Sequence, residues 1–189
     1  MTAHAELARH RKTPLPTAAT ATAATAVTTH IDRPRPGDGP QLWRLARDSR
    51  TLDLNSAYSY LLWCRDFAGT SAVARDPSGR AVGFVSGYLR PDSPGTLLIW
   101  QIAVDASARG RGIAGALLDG LSARVAAEQG LSALETTISP DNRASQRLFA
   151  SYAARHGATL TREVLFAADE FPNDGHAPEV LHRIGPLHF

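Results

Sequence analysis

The sequence predicts an α/β fold, a sheet with helices on its faces rather than a pure doubly wound one. Three observations carry this. The apolar period switches between helical and strand spacing along the chain. The run "TLLIWQIAV" reads as a central strand. A glycine-rich segment follows it directly and opens an alanine- and leucine-rich helix.

The elements follow in order. Residues 1–26 are rich in Ala, Thr and Pro and are expected to be a disordered tail, with the folded domain at 27–189. "VTTHIDRPRPGDG" reads as a short strand with Val27 and Ile31, stopped by Pro34, Pro36 and Gly37. "DGPQLWRLARDS" reads as a helix, with Asp38 as a cap and Leu42, Leu45 and Ala46 at helical spacing. A second helix begins at Asn55 or Ser56 and ends at Gly69. "SAVAR", the turn "DPSGR" and "AVGFVSGYL" form a hairpin. "PDSPG" turns into the central strand at 96–104. A helix then runs to about Glu128, with Gly130 as its exit. "LSALETTI" is a strand, "SPDNRASQRLFASYAARHG" a helix, and "ATLTREVLF" and "EVLHRIG" are strands.

Composition limits the functions. The chain has 189 residues and a formal net charge of +2. There is no long Lys/Arg stripe, which argues against a nucleic-acid partner. No apolar run reaches the roughly 20 residues of a membrane helix. A single cysteine, Cys64, makes an internal disulfide impossible and the cytoplasm the default setting.

The segment "ASARGRGIAGALL" interleaves Arg109 and Arg111 with Gly110, Gly112 and Gly115. A helix N-terminus after a buried strand offers free N–H groups and a positive dipole end, so it suits a phosphate. Glycine lets an anion approach the backbone, and arginine adds charge-assisted hydrogen bonds. The spacing G-x-G-x-x-G is present, but no acidic residue stands at the end of the next strand, where a dinucleotide site needs one, and a P-loop lysine is absent. A glycine-rich strand-to-helix turn is the plain alternative.

"IAVDASARGRGIAGALL" resembles the acyl-CoA signature of the GNAT superfamily, R/Q-x-x-G-x-G/A, at Arg109, Gly112 and Ala114. "DNRASQRLF" resembles the later helix of that superfamily, which begins with Asn, here Asn142. The resemblance implies a mostly antiparallel sheet with helices on both faces and a splayed central strand pair holding acetyl-CoA. It implies cofactor contacts at Ile102, Val104, Arg109, Gly110, Arg111, Gly112, Ile113, Ala114, Asn142, Ser145 and Phe149. It also implies that an amide on the strand at Ile102, Ala103 and Val104 polarises the thioester, and that the protein is a homodimer. Phe149 stands where the superfamily often has a tyrosine that protonates the departing thiolate. Tyr152, one helical turn on, or water would then take that role.

Longer pieces, "LDLNSAYSYLLWCRDFAGTSAVA", "LIWQIAVD", "LETTISPDN" and "HAPEVLHRIGP", are similar to the diaminobutyrate acetyltransferases of ectoine biosynthesis, over about residues 27–187. That resemblance implies acetyl transfer from acetyl-CoA to the 4-amino group of L-2,4-diaminobutyrate. Other readings are an acetyltransferase for another small diamine or amino acid, or an acyl-CoA sensor. An alkylamine with a pKa of about 10 must lose a proton before it attacks, so the site needs carboxylates. Asp53 on its own reads as a cap and Tyr58 as a core aromatic; the resemblance makes Asp53, Asn55 and Tyr58 substrate contacts. Trp100 on its own reads as core packing; the resemblance makes it a wall able to face an ammonium. Glu179 is the first choice for accepting the ammonium proton, with Asp53 second and His176 beside Glu179. Either carboxylate could instead hold the α-ammonium. His176, Glu179 and His182 have a metal-like spacing, but Pro178 breaks any helix there and no metal is expected.

Overall fold

The computed structural model describes residues 29–172 and 176–189. The expected tail and Val27 lie outside the described residues. In chain order the elements are β1 (His30–Asp32), α1 (Gly39–Ser49), α2 (Ala57–Asp66), β2 (Ala72–Arg75), β3 (Ala81–Arg90), β4 (Ser93–Val104), α3 (Ile113–Gln129), β5 (Ala133–Ile138), α4 (Arg143–Arg155), β6 (Thr159–Phe166) and β7 (Glu179–Gly185). The strands form one sheet in the order β1-β2-β3-β4-β5-β7-β6. Every neighbouring pair is antiparallel except β4–β5, whose parallel pairing requires the crossover that α3 supplies.

Alternation along the strands builds two cores. On one face α3 and α4 press Leu117, Leu118, Leu121, Phe149 and Tyr152 against Leu97, Ile99, Leu134 and Ile184. On the other, α1 and α2 press Leu42, Leu45, Tyr60 and Cys64 against Val73, Phe84 and Ala103. Each large apolar side chain buried in this way contributes about 1.5–3 kcal/mol.

Several boundaries differ from the sequence expectation. The "PDSPG" turn is shorter, because β4 already begins at Ser93. Pro94 is tolerated because residues 94–96 have no partner on β3, so its missing N–H breaks no pair there. Helix α2 ends at Asp66, and Gly69 lies inside a short 3-10 turn at Ala68–Thr70. Asp38 stands at the cap position of α1 but makes no cap bond. Its buried carboxylate instead accepts from Arg75 at 2.7 and 2.9 Å and from the Arg35 N–H at 2.7 Å. Burial alone would raise its pKa; the Arg75 and Arg35 bonds hold it below the ordinary carboxylate value.

Two irregularities shape the middle of the sheet. Ser86 pairs with Gln101 and Gly87 with Ile99, so Trp100 is an extra residue bulged out of β4. The parallel β4–β5 pairing runs from Thr96–Ala133 to Ile99–Thr136 and stops. Beyond it β4 follows β3 while β5 follows β7, and the two central strands separate.

Candidate active site

A cavity of about 540 Å³ opens where β4 and β5 separate. The loop after α1 brings Asp53 and Asn55 to it, β3 brings Tyr88 and Arg90, and β4 brings Leu98–Gln101. β5 contributes Glu135 and Thr137, and Asn142 stands at the start of α4. Phe166, Phe171, His176 and Glu179 close the far side.

The bulge explains Trp100. A regular strand would set it by alternation alone; the extra residue breaks the alternation and re-aims the ring. Trp100 is 51% exposed and forms one wall. Behind it the Trp63 ring stacks at 6.3 Å, itself packed on Phe67 at 4.7 Å. The next residue, Gln101, is buried and donates to the Asp53 carbonyl at 2.7 Å while accepting from the Tyr60 hydroxyl at 2.9 Å. This pins the loop that carries Asp53. Burial pushes the Tyr60 hydroxyl above its usual pKa, so it stays a neutral donor.

Ser56, rather than Asn55, caps α2, its hydroxyl accepting from Ser59 N–H at 3.3 Å. Asn55 therefore keeps its place in the cavity lining. Asp53 likewise caps nothing. Among the described residues no hydrogen bond or ion pair engages the carboxylate of Asp53 or of Glu179, the first residue of β7. His176 stacks flat on Phe171, with ring centroids 3.7 Å apart, and its Nδ1 donates to the Ala177 carbonyl at 2.6 Å. That bond requires a proton on Nδ1 and orients the ring. His182 lies three residues from Glu179 on a strand, hence on the opposite face, and is buried. Burial lowers its pKa.

The glycine segment has the geometry of an anion cradle. Gly110 and Gly112 have φ of +76° and +75°, and a Cβ at either would meet nothing within 4 Å. The amides there are unshielded, and α3 starts at Ile113 without a side-chain cap. Arg109 Nε donates to the Val104 carbonyl at 3.3 Å and Arg111 to the Ser107 carbonyl at 3.1 Å, which draws both arginines round the turn. A hollow of about 510 Å³ lies on the Arg111 side of the turn, lined by Asp76, Arg80, Ser107, Arg111 and Ile113 among others. The turn's own open amides and its two arginines fit a diphosphate. Gly115 differs: the space beside it is occupied by the Arg155 guanidinium.

Other sequence candidates lie elsewhere. Tyr58 is 65% exposed and outside the cavity lining. Phe149 is buried in the core beneath α4. Asn142 caps α4, accepting from Ser145 N–H at 3.1 Å. Of the two proton sources left open for the thiolate, Tyr152 is fully buried, its hydroxyl donates to Ser122 Oγ at 2.7 Å, and burial pushes its pKa up to about 12, an arrangement that favours water. Helical spacing puts 149 and 152 on one face, and that face is core.

Sequence reasoning missed Glu135, Arg90 and Gln101. Glu135 is 2% exposed and paired with Arg183 and with Arg90 at 3.0 Å. Its signal was a lone charge in a short apolar strand, "LSALETTI".

The family model for the acetyltransferase (GNAT) family matches residues 39–153. The chain is 68% identical over 157 residues to an L-2,4-diaminobutyric acid acetyltransferase of Streptomyces coelicolor, covering 83% of this chain and 92% of the relative. It is 66% identical over 157 residues to that of Streptomyces avermitilis, covering 83% and 88%. Among solved structures it is similar to the diaminobutyrate acetyltransferase EctA from Paenibacillus lautus in complex with L-2,4-diaminobutyric acid and coenzyme A. That match has a TM-score of 0.80 and 42% identity, and covers 86% of this chain and 98% of that one.

Proposed function

The chain belongs to the GNAT acetyltransferase family, and we propose that it moves the acetyl group of acetyl-CoA to the 4-amino group of L-2,4-diaminobutyrate. The observation that carries the substrate is the pair of unengaged carboxylates, Asp53 and Glu179, on one cavity at the strand separation. A substrate with two ammonium groups calls for two such acceptors.

In this reading the cradle at Arg109–Ala114 holds the diphosphate of the cosubstrate through backbone N–H groups and arginine charge. The arm passes between β4 and β5, where backbone groups on the β5 side of β4 lack a strand partner. An N–H there stabilises the charge that develops on the thioester oxygen. Glu179 takes the proton from the 4-ammonium, directly or through water, and Asp53 holds the α-ammonium. Trp100 packs over the cationic chain. The free amine attacks the carbonyl carbon, a C–N bond forms and the C–S bond breaks. The nitrogen gives up its second proton as the amide forms, and water relays that proton to the thiolate, a fair leaving group near neutral pH.

The product would serve ectoine synthesis, hence a compatible-solute response to osmotic stress. A cytoplasmic homodimer is part of the same proposal, supported by a single buried cysteine and by exposed apolar side chains such as Leu61 and Val164. Among the described residues no helix is long and apolar enough to cross a membrane.

The test is turnover of L-2,4-diaminobutyrate with acetyl-CoA, followed by thiol release and NMR of the acetylated product. Glu179→Gln is expected to lower kcat/KM by about 100-fold or more. Turnover of a different amine, with none of diaminobutyrate, would remove the substrate assignment and leave the family untouched.

A further inference from the structure

We infer that Arg90 binds the α-carboxylate of the amino-acid substrate and that Glu135 is the positioning residue that holds Arg90 in place. The inference rests on the function proposed above and adds the group that distinguishes an amino acid from a plain diamine.

The argument begins with charge. Among the described lining residues of the cavity, Arg90 is the one guanidinium or ammonium. Asp53 and Glu179 are unengaged, whereas Glu135 is paired with Arg183 as well as with Arg90. Counting Glu135 and Arg183 as mutually neutral, the cavity offers two negative groups and one positive. The substrate carries two ammonium groups and one carboxylate, the complementary set. A carboxylate taken into this cavity without a cation would lose its hydration uncompensated.

The sheet explains how Arg90 comes to be aimed there. Tyr88, Leu98, Glu135 and Arg183 are successive cross-strand partners, so their side chains share one face. Glu135 is one residue short of the last β4–β5 pair, Ile99–Thr136. With a rise of about 3.3 Å per residue, the Glu135 carboxylate lies a few ångströms from the point where the strands part. Arg90 reaches this rung from the end of β3, with its Nη1 3.0 Å from Glu135 Oε2. The Arg90 side chain stays 40% exposed while Glu135 is 2% exposed, so only part of the guanidinium is used by the protein. An arginine fork can serve two carboxylates at once. The α-carboxylate would sit on Arg90, leaving the 4-amino end directed to the strand separation.

The test compares three amines with acetyl-CoA: L-2,4-diaminobutyrate, its carboxamide L-2,4-diaminobutyramide, and 1,3-diaminopropane. The wild-type protein is expected to prefer diaminobutyrate over the other two. In Arg90→Met the KM for diaminobutyrate should rise by about 30-fold, with kcat changed far less, and the preference should collapse. Arg90→Lys should restore part of it. Glu135→Gln should weaken the preference in the same direction. The double variant Arg90→Met/Glu135→Gln leaves no buried carboxylate half-paired, so it separates lost recognition from lost folding, read by a thermal melt. Wild-type preference retained in any folded Arg90→Met variant overturns this assignment alone. A wild-type protein that acetylates some other amine and not diaminobutyrate overturns the function and this inference together.

Discussion

Tyr152 and Trp100 show how far a single residue can be read from sequence. Helical spacing aligns Tyr152 with Phe149 but does not say whether that face meets the core or the cosubstrate. The structure answers with a buried hydroxyl committed to Ser122. Tyr152→Phe is therefore expected to leave kcat and its pH profile within about twofold and to cost about 1 kcal/mol of stability in urea melts. A kcat loss of tenfold or more would return the tyrosine to the chemistry. Trp100 was ambiguous for the opposite reason. On a regular strand its period decides its face, and a bulge cannot be seen in one sequence. Asp53 and Glu179 were found through resemblance; their lack of partners is a property only the folded chain has.

At the scale of elements, the strand, glycine turn and helix around Gly112 were the most legible part of the chain. Their signal is local, and local rules determine it. Gly130 ends α3 with a φ of +77°, as its position suggested. The ends of α2 and of the turn before β4 were not legible, because strand pairing and packing override turn residues there. The two glycines at positive φ are expected to be needed for different reasons from Gly115. Gly112→Ala forces a side chain into a left-handed conformation, costing about 1 kcal/mol or more, and shields the amides. The expected result is a KM for acetyl-CoA raised by about tenfold, with little change for the amine. Gly115→Ala, at ordinary van der Waals distance from Arg155, serves as the control and should stay near wild type. Equal behaviour of the two variants would mean that the turn is merely structural.

The whole molecule is a sheet between two helical layers, and the layers are tied down unequally. The order of elements in the sequence gave an α/β sheet, but not that β7 would insert between β5 and β6 and deliver Glu179 to the centre. Such pairing depends on contacts remote in sequence. The buried Asp38–Arg75 pair joins the start of α1 to β2. Because the folded Asp38 pKa lies below its unfolded value, the native state binds fewer protons than the unfolded state between them. The pair's contribution is then full above about pH 4 and is lost as pH falls through the folded value. Asp38→Asn is expected to cost about 2–4 kcal/mol at pH 7, a gap that closes toward pH 2 in urea melts. A gap independent of pH would assign the loss to packing instead. Separation of β4 from β5 has one more consequence. The hollow it opens touches Asp53 on the side of α1 and α2 and Asn142 at the head of α4. In the proposed function the amine would meet this chamber at Asp53 and the acyl arm at Asn142, so the acyl group would cross directly from one to the other.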